Sequence, residues 1–145
     1  MLFRTESAAS SAPRVVWSDF GRSPRAAVLD AQDPTVLLNS CYVVPCNDLT
    51  DARTLATLLN SPVCAAWLNA VAEPARGGYH RYLGWTVSLL PIPADWERAR
   101  RLLAPIAERA SCGAPPDAET LLTTVLRAYQ LGEQEVEPLL LWEYR

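Results

Sequence analysis

The spacing of apolar and polar positions changes character near residue 45 of this chain. Before that point, short runs rich in β-branched and aromatic residues are separated by turn formers. Arg14 to Asp19 comes first and ends at Gly21; Ala26 to Leu29 follows the Ser23-Pro24 turn; Thr35 to Val44 follows Asp30 to Pro34. Such runs predict strands, and Pro45 stops the last of them. Beyond residue 45 the apolar positions recur at helical spacing. Leu55, Leu58 and Leu59 predict a helix capped by Asp48 or Thr50. Ser61-Pro62 then restarts the chain as an N-cap with Pro at the first helical position. Val63, Ala66, Trp67, Ala70 and Val71 would form one face of this second helix, and Pro74 with Gly77-Gly78 would end it.

The second half continues in the same manner. Tyr82 to Leu90 is apolar and fits a strand or a short helix, and Pro91-Ile92-Pro93 enforces an extended segment. Asp95 caps a third helix carrying Ala99, Leu102, Leu103 and Ile106, with a kink expected at Pro105. Gly113 and Pro115-Pro116 form a linker. Asp117 caps a fourth helix bearing Leu121, Leu122, Val125 and Tyr129, closed by Gly132, and the acidic end to Arg145 adds one turn or two. The expected class is α+β: a small antiparallel sheet in the N-terminal third, followed by a mainly helical part. The expected divisions are a flexible leader over 1–13, a domain over 14–112 and a helical tail over 113–145.

Composition narrows the class. At 145 residues, half of them hydrophobic, the chain is sized for one domain with a real core. No apolar run nears the roughly 20 residues of a membrane span. The start, Met1 to Glu6, lacks the apolar stretch of a signal peptide, so a cytoplasmic protein with no membrane partner is expected. Net charge is -3, whereas nucleic-acid-binding domains are usually basic. The charge is uneven, however. Up to residue 116 eleven arginines face ten acids, and beyond it two face six. All thirteen basic residues are arginine, which genome composition explains better than function does. Cys41 and Cys46 are spaced more widely than a short metal knuckle, and no second pair exists. Buried apolar thiols are therefore a better reading of Cys41, Cys46, Cys64 and Cys112 than a zinc set completed by His80.

One segment is chemically distinct. Ala75-Arg76-Gly77-Gly78-Tyr79-His80-Arg81-Tyr82 packs two arginines, the single histidine and two tyrosines around a Gly-Gly hinge. Glycines allow positive φ and close approach. Arginine forks grip phosphate or the acceptor edge of guanine, and tyrosine stacks on bases. The segment reads as a presented polar loop suited to nucleic acid. Each residue also has a plainer role open to it. Arg76 and Arg81 are equally suited to solvation, and Arg76 to pairing with Glu73; Tyr79 is equally suited to packing on the second helix. His80 has no neighbouring Asp, Ser or Cys to form a catalytic set. Arg22 and Arg25 flank a turn, where they would touch the phosphate backbone or be solvated.

The order of motifs adds a further expectation. Val15 to Phe20, Leu38 to Val44, Leu58-Leu59-Asn60-Ser61-Pro62, Arg76-Gly77-Gly78-Tyr79 and Leu90-Pro91-Ile92-Pro93 occur in sequence over roughly residues 14 to 93. This set resembles the C-terminal target-recognition region of TaqI-like adenine-specific DNA methyltransferases, including the fused restriction-modification enzymes and their phage-defence relatives. The resemblance implies double-stranded DNA as a partner, with contacts from Arg76, Gly77, Gly78, Tyr79, His80 and Arg81 and from Arg22 and Arg25. It also implies a catalytic methyltransferase domain or subunit that uses S-adenosylmethionine. The catalytic motifs of that family are missing: Pro115-Pro116 leads into Asp117 rather than an aromatic residue, and there is no Gly-x-Gly. The chain by itself is not expected to methylate DNA or to bind a cofactor. The alternatives are a protein-interaction module or an inactive remnant of such an enzyme.

Overall fold

The computed structural model describes residues 11–142. Most of the expected leader and the last three residues of the acidic end lie outside the described residues. The fold class is α+β. Strands β1 (Arg14–Ser18), β2 (Phe20–Gly21), β3 (Ala26–Leu29) and β4 (Cys41–Pro45) come first, followed by helices α1 (Leu49–Leu59) and α2 (Pro62–Val71). Strands β5 (Glu73–Ala75) and β6 (Tyr79–Arg81) come next, then α3 (Gly84–Val87), α4 (Trp96–Ser111), α5 (Ala118–Tyr129) and α6 (Glu133–Trp142). Two antiparallel sheets result, ordered β3-β1-β4 and β2-β6-β5.

In the first sheet β1 is central: Val15 sits opposite Val28 on one side and Val44 on the other. Val15 and Trp17 are buried, two residues apart on the face that meets the helices. The apolar run read as a strand over 35–44 pairs only from Cys41 onward. Four of the five residues of β1 have partners on both sides and Ser18 already pairs with Cys41, so residues 35–40 find no ladder, and Val36 and Leu38 stand exposed. Pro45 closes β4 opposite Arg14, at an edge where its missing N–H costs no ladder bond. Arg14 is itself buried, and its guanidinium donates to the Asp33 carbonyl at 3.0 Å.

Four of the helices begin at a side-chain cap. Asp48, Ser61, Asp95 and Asp117 accept from the N–H three residues on, at the starts of α1, α2, α4 and α5. The most extensive helix contact joins α1 to α4, where the Thr57 hydroxyl donates to the Leu103 carbonyl at 3.0 Å inside the core. At the other end of that contact Arg100 meets Asp48 at 2.8 Å, and Trp96 Nε1 donates to Asp51 at 2.8 Å. Helix α4 runs on through Pro105. Helix α2 buries Val63, Cys64, Ala65, Ala66 and Leu68, while Ala70 and Val71 of the expected face are exposed. The reason is that the chain leaves the helix at Ala72 for β5. The segment 82–90 forms the short helix rather than the strand.

The helices beyond residue 113 belong to the same core. Val125, Leu126, Ala128 and Val136 are buried in one cluster with Val15, Leu58, Leu68 and Leu103. Among the described residues no single helix is long and apolar enough to cross a membrane. The bent pair α1 and α2 is apolar enough in sum, but it turns by 69° and is largely buried in this core.

Candidate nucleic-acid interface

The Gly-Gly segment is the turn of a hairpin rather than a free loop. Gly77 and Gly78 take φ of 78° and 75°, a region that side-chain-bearing residues rarely adopt. They close a turn between Ala75 and Tyr79, which pair across β5 and β6. Pro74 sits on the edge strand β5, as strand prolines do. The sequence gives little warning of these strands, because they are three residues long and carry no apolar alternation. Their pairing depends instead on β2, some sixty residues earlier.

Several hydrogen bonds bring β2 to the hairpin. The chain leaves the first sheet at Asp19, whose N–H donates to the Ser40 carbonyl at 3.0 Å and whose carbonyl accepts the Tyr82 N–H at 2.9 Å. The Trp17 indole donates to the Tyr82 carbonyl at 2.8 Å. Phe20 then pairs with Arg81, and Gly21 with His80. Just beyond, Asn69 of α2 donates to the Arg22 carbonyl at 3.2 Å while accepting the Tyr82 hydroxyl. Asn60 clasps the backbone of Ala26 with two bonds of 2.8 Å. The segment that carries Arg22 is therefore fixed at both ends to the helices.

Alternation along these strands sorts the side chains onto two faces. The outer face carries Phe20, Arg22, Tyr79 and Arg81, with Glu73 opposite Arg81 in the register. The Phe20 and Tyr79 rings lie nearly parallel, 8° apart in plane with centroids at 4.8 Å. The Arg22 guanidinium carbon lies 5.4 Å from the Tyr79 centroid, within cation–π range. Phe20 remains 46% exposed, and Arg22, Arg76 and Arg81 are exposed. No ion pair within 4 Å engages these three arginines among the described residues; Arg100, by contrast, is held by Asp48, Asp51 and Glu97. The result is a presented surface of stacked rings and of cations outside any ion pair among the described residues.

The structure thus brings together Arg22, Arg76, Gly77, Gly78, Tyr79 and Arg81. His80 faces the other way. Its ring centroid lies 6.4 Å from that of the fully buried Tyr82, and its Nδ1 is buried. Arg25 is exposed just before β3, in the other sheet, and has no described contact with the hairpin. Phe20 is the residue that the sequence reading passes over. Its signal was available, since Phe20 and Arg22 are two apart and share a face once the segment is extended.

A concave feature lies elsewhere. An apolar cleft of about 250 Å³ opens between α2, α5, α6 and the Leu90-Pro91 segment. The Tyr129 hydroxyl donates to the Pro91 carbonyl at 2.6 Å and lies 3.5 Å from the Cys64 sulfur. Burial pushes both groups above their ordinary values, so at neutral pH the thiol stays protonated and is a poor nucleophile. Cys41 and Cys46 are half-buried, and Cys112 is exposed, contrary to the expectation of a buried thiol. Among the described residues no three His, Cys, Asp or Glu side chains gather as a metal set would.

No protein-family model and no curated protein matches this chain.

Proposed function

We propose that this chain is a DNA-recognition module, the target-reading part of an adenine-specific methylation or restriction-modification system. Methyl transfer from S-adenosylmethionine would fall to a separate catalytic domain or subunit. The observation that carries this reading is the outer face of the second sheet, where Arg22 and Arg81 accompany the Phe20–Tyr79 stack and Arg76 is exposed at the adjoining turn. Phosphate contacts from such arginines set register and supply salt-dependent affinity, while base edges supply specificity. The motif order seen in the sequence supports the same reading. On this view the module works in the cytoplasm, as part of a larger assembly.

A specific feature favours the rival reading of a protein-interaction module. Trp85, Leu89 and Ile92, on and just after α3, are each more than half exposed. Apolar side chains clustered in this way commonly mark a protein contact. The two readings are compatible if this patch meets the catalytic partner.

Titration of a labelled duplex with the full chain, across a range of salt, tests the proposal. Binding should weaken linearly in log salt. Arg76→Ala with Arg81→Ala should reduce the slope by about 2, near one per lost phosphate contact. Binding that ignores both salt and the double substitution would overturn it.

A further inference from the structure

We infer that the Phe20–Tyr79 pair is a stacking platform for an unpaired base, with Arg22, Arg76 and Arg81 holding the adjoining phosphates. This rests on the nucleic-acid reading above and goes further by naming the form of nucleic acid that the face accepts.

The argument starts from what the rings present. A buried aromatic pair is sufficiently explained by packing, but Phe20 is 46% exposed and stacks on Tyr79 at 8° and 4.8 Å. The backbone on either side of Phe20 is tied down by the Asp19–Tyr82 and Asn69–Arg22 hydrogen bonds.

The second step concerns which ligands have a free π-face. Inside a duplex each base is covered above and below by its neighbours, so a protein ring gains stacking only where a base is unstacked. The strands under the rings are two or three residues long, about 10 Å at the usual rise, which matches one or two nucleotides rather than a groove. Duplex readers that use a two-stranded ribbon in the major groove direct hydrogen-bonding side chains at base edges. This face offers rings first, with cations around them.

The third step is charge. Arg22 lies against the Tyr79 ring, Arg81 is exposed two residues along the same face, and Arg76 is exposed at the turn, none in an ion pair among the described residues. A single strand laid over the rings carries a phosphate on each side of every base, which is the complement of that arrangement. Glu73 is the one acid in these three strands, and it stands across from Arg81 at the far end of β6 from the turn. It borders the path rather than blocking it.

The experiment uses the full chain and three labelled probes followed by anisotropy: a single strand of thymidines, the same strand with the bases removed, and a duplex of equal length. The thymidine strand should bind about tenfold more tightly than the abasic strand, the size expected for one stacked base. Phe20→Ala should erase that difference while leaving affinity for the abasic strand unchanged. Phe20→Leu, which keeps apolar bulk but loses the ring, should behave as Phe20→Ala does, with unchanged circular dichroism. Arg76→Ala with Arg81→Ala should weaken both single strands alike. Equal binding to both single strands, or tighter binding to the duplex than to either, would overturn the platform while leaving the DNA reading intact. No binding to any probe at low salt would overturn both.

Discussion

Gly77 and Gly78 show most directly how single residues set the geometry of the candidate interface. Both sit in the left-handed region, where a Cβ costs roughly 1–2 kcal/mol. A Cβ at Gly78 would meet nothing within 4 Å, so its substitution isolates the backbone cost from any clash. Gly78→Ala should therefore lower stability by about 1 kcal/mol in chemical denaturation, and should weaken any nucleic-acid binding beyond what that loss explains. An unchanged variant would mean that the turn readily finds another shape. The glycine pair, Tyr79 and the arginines were legible in the sequence because unusual residues were crowded together. For Phe20 only the two-residue spacing to Arg22 was visible; its place beside Tyr79 was not, because that depends on a bend at Asp19 and a partner strand far along the chain. The inward turn of His80 was hidden for the same reason: its face is fixed by pairing with Gly21, which no local pattern announces.

At the scale of elements, caps and helix faces were the most readable features, since a cap needs only its own first turn. Asp48, Ser61, Asp95 and Asp117 all start helices. What the sequence could not show is that one cap also serves tertiary structure. Asp48 accepts the Asp51 N–H and also receives Arg100 from α4, and these two contacts hold its carboxyl below the usual range. Asp117 is lowered by its bonds from Thr120, and Asp33 by those from Thr35. A lowered carboxyl means that the unfolded chain binds more protons in the acid range. The stability these groups confer is thus fully present above about pH 4 and is lost as pH falls through their folded values. Thermal melts from pH 7 to pH 3 should be flat at first and then decline. In Asp48→Asn the cap survives but the charge does not, so the decline should be shallower and the neutral melting temperature lower. A neutral melting temperature equal to that of the parent would mean that the Arg100 pair contributes nothing, as many exposed pairs do not.

For the whole molecule, the decisive fact is that the first sheet and all the longer helices share one core, to which the second sheet is joined through Ala72 and Tyr82 at its borders. The acidic stretch beyond residue 113 reads in sequence as a tail, because its charge differs from the rest and a Gly-Pro linker precedes it. Packing decides otherwise. Val125, Leu126 and Val136 are each nearly or fully buried, and Tyr129 reaches Pro91 and Cys64 from the same helices. Burying a side chain of this kind stabilises by about 1.5–3 kcal/mol. Three of them are comparable with the entire stability of a small domain, about 5–15 kcal/mol. A chain ending at Cys112 should therefore lose cooperative unfolding and resist proteolysis poorly, although it keeps every residue of the arginine–aromatic face. Limited proteolysis beside a thermal melt checks this. A truncated chain that melts cooperatively within a few degrees of the parent would make the last two helices an appendage. The sheet that carries the interface would then stand on α1, α2 and α4 alone. If the truncated chain fails to fold, the acidic helices are required in spite of their charge, because the apolar surface they cover outweighs the repulsion they would add near a phosphate backbone.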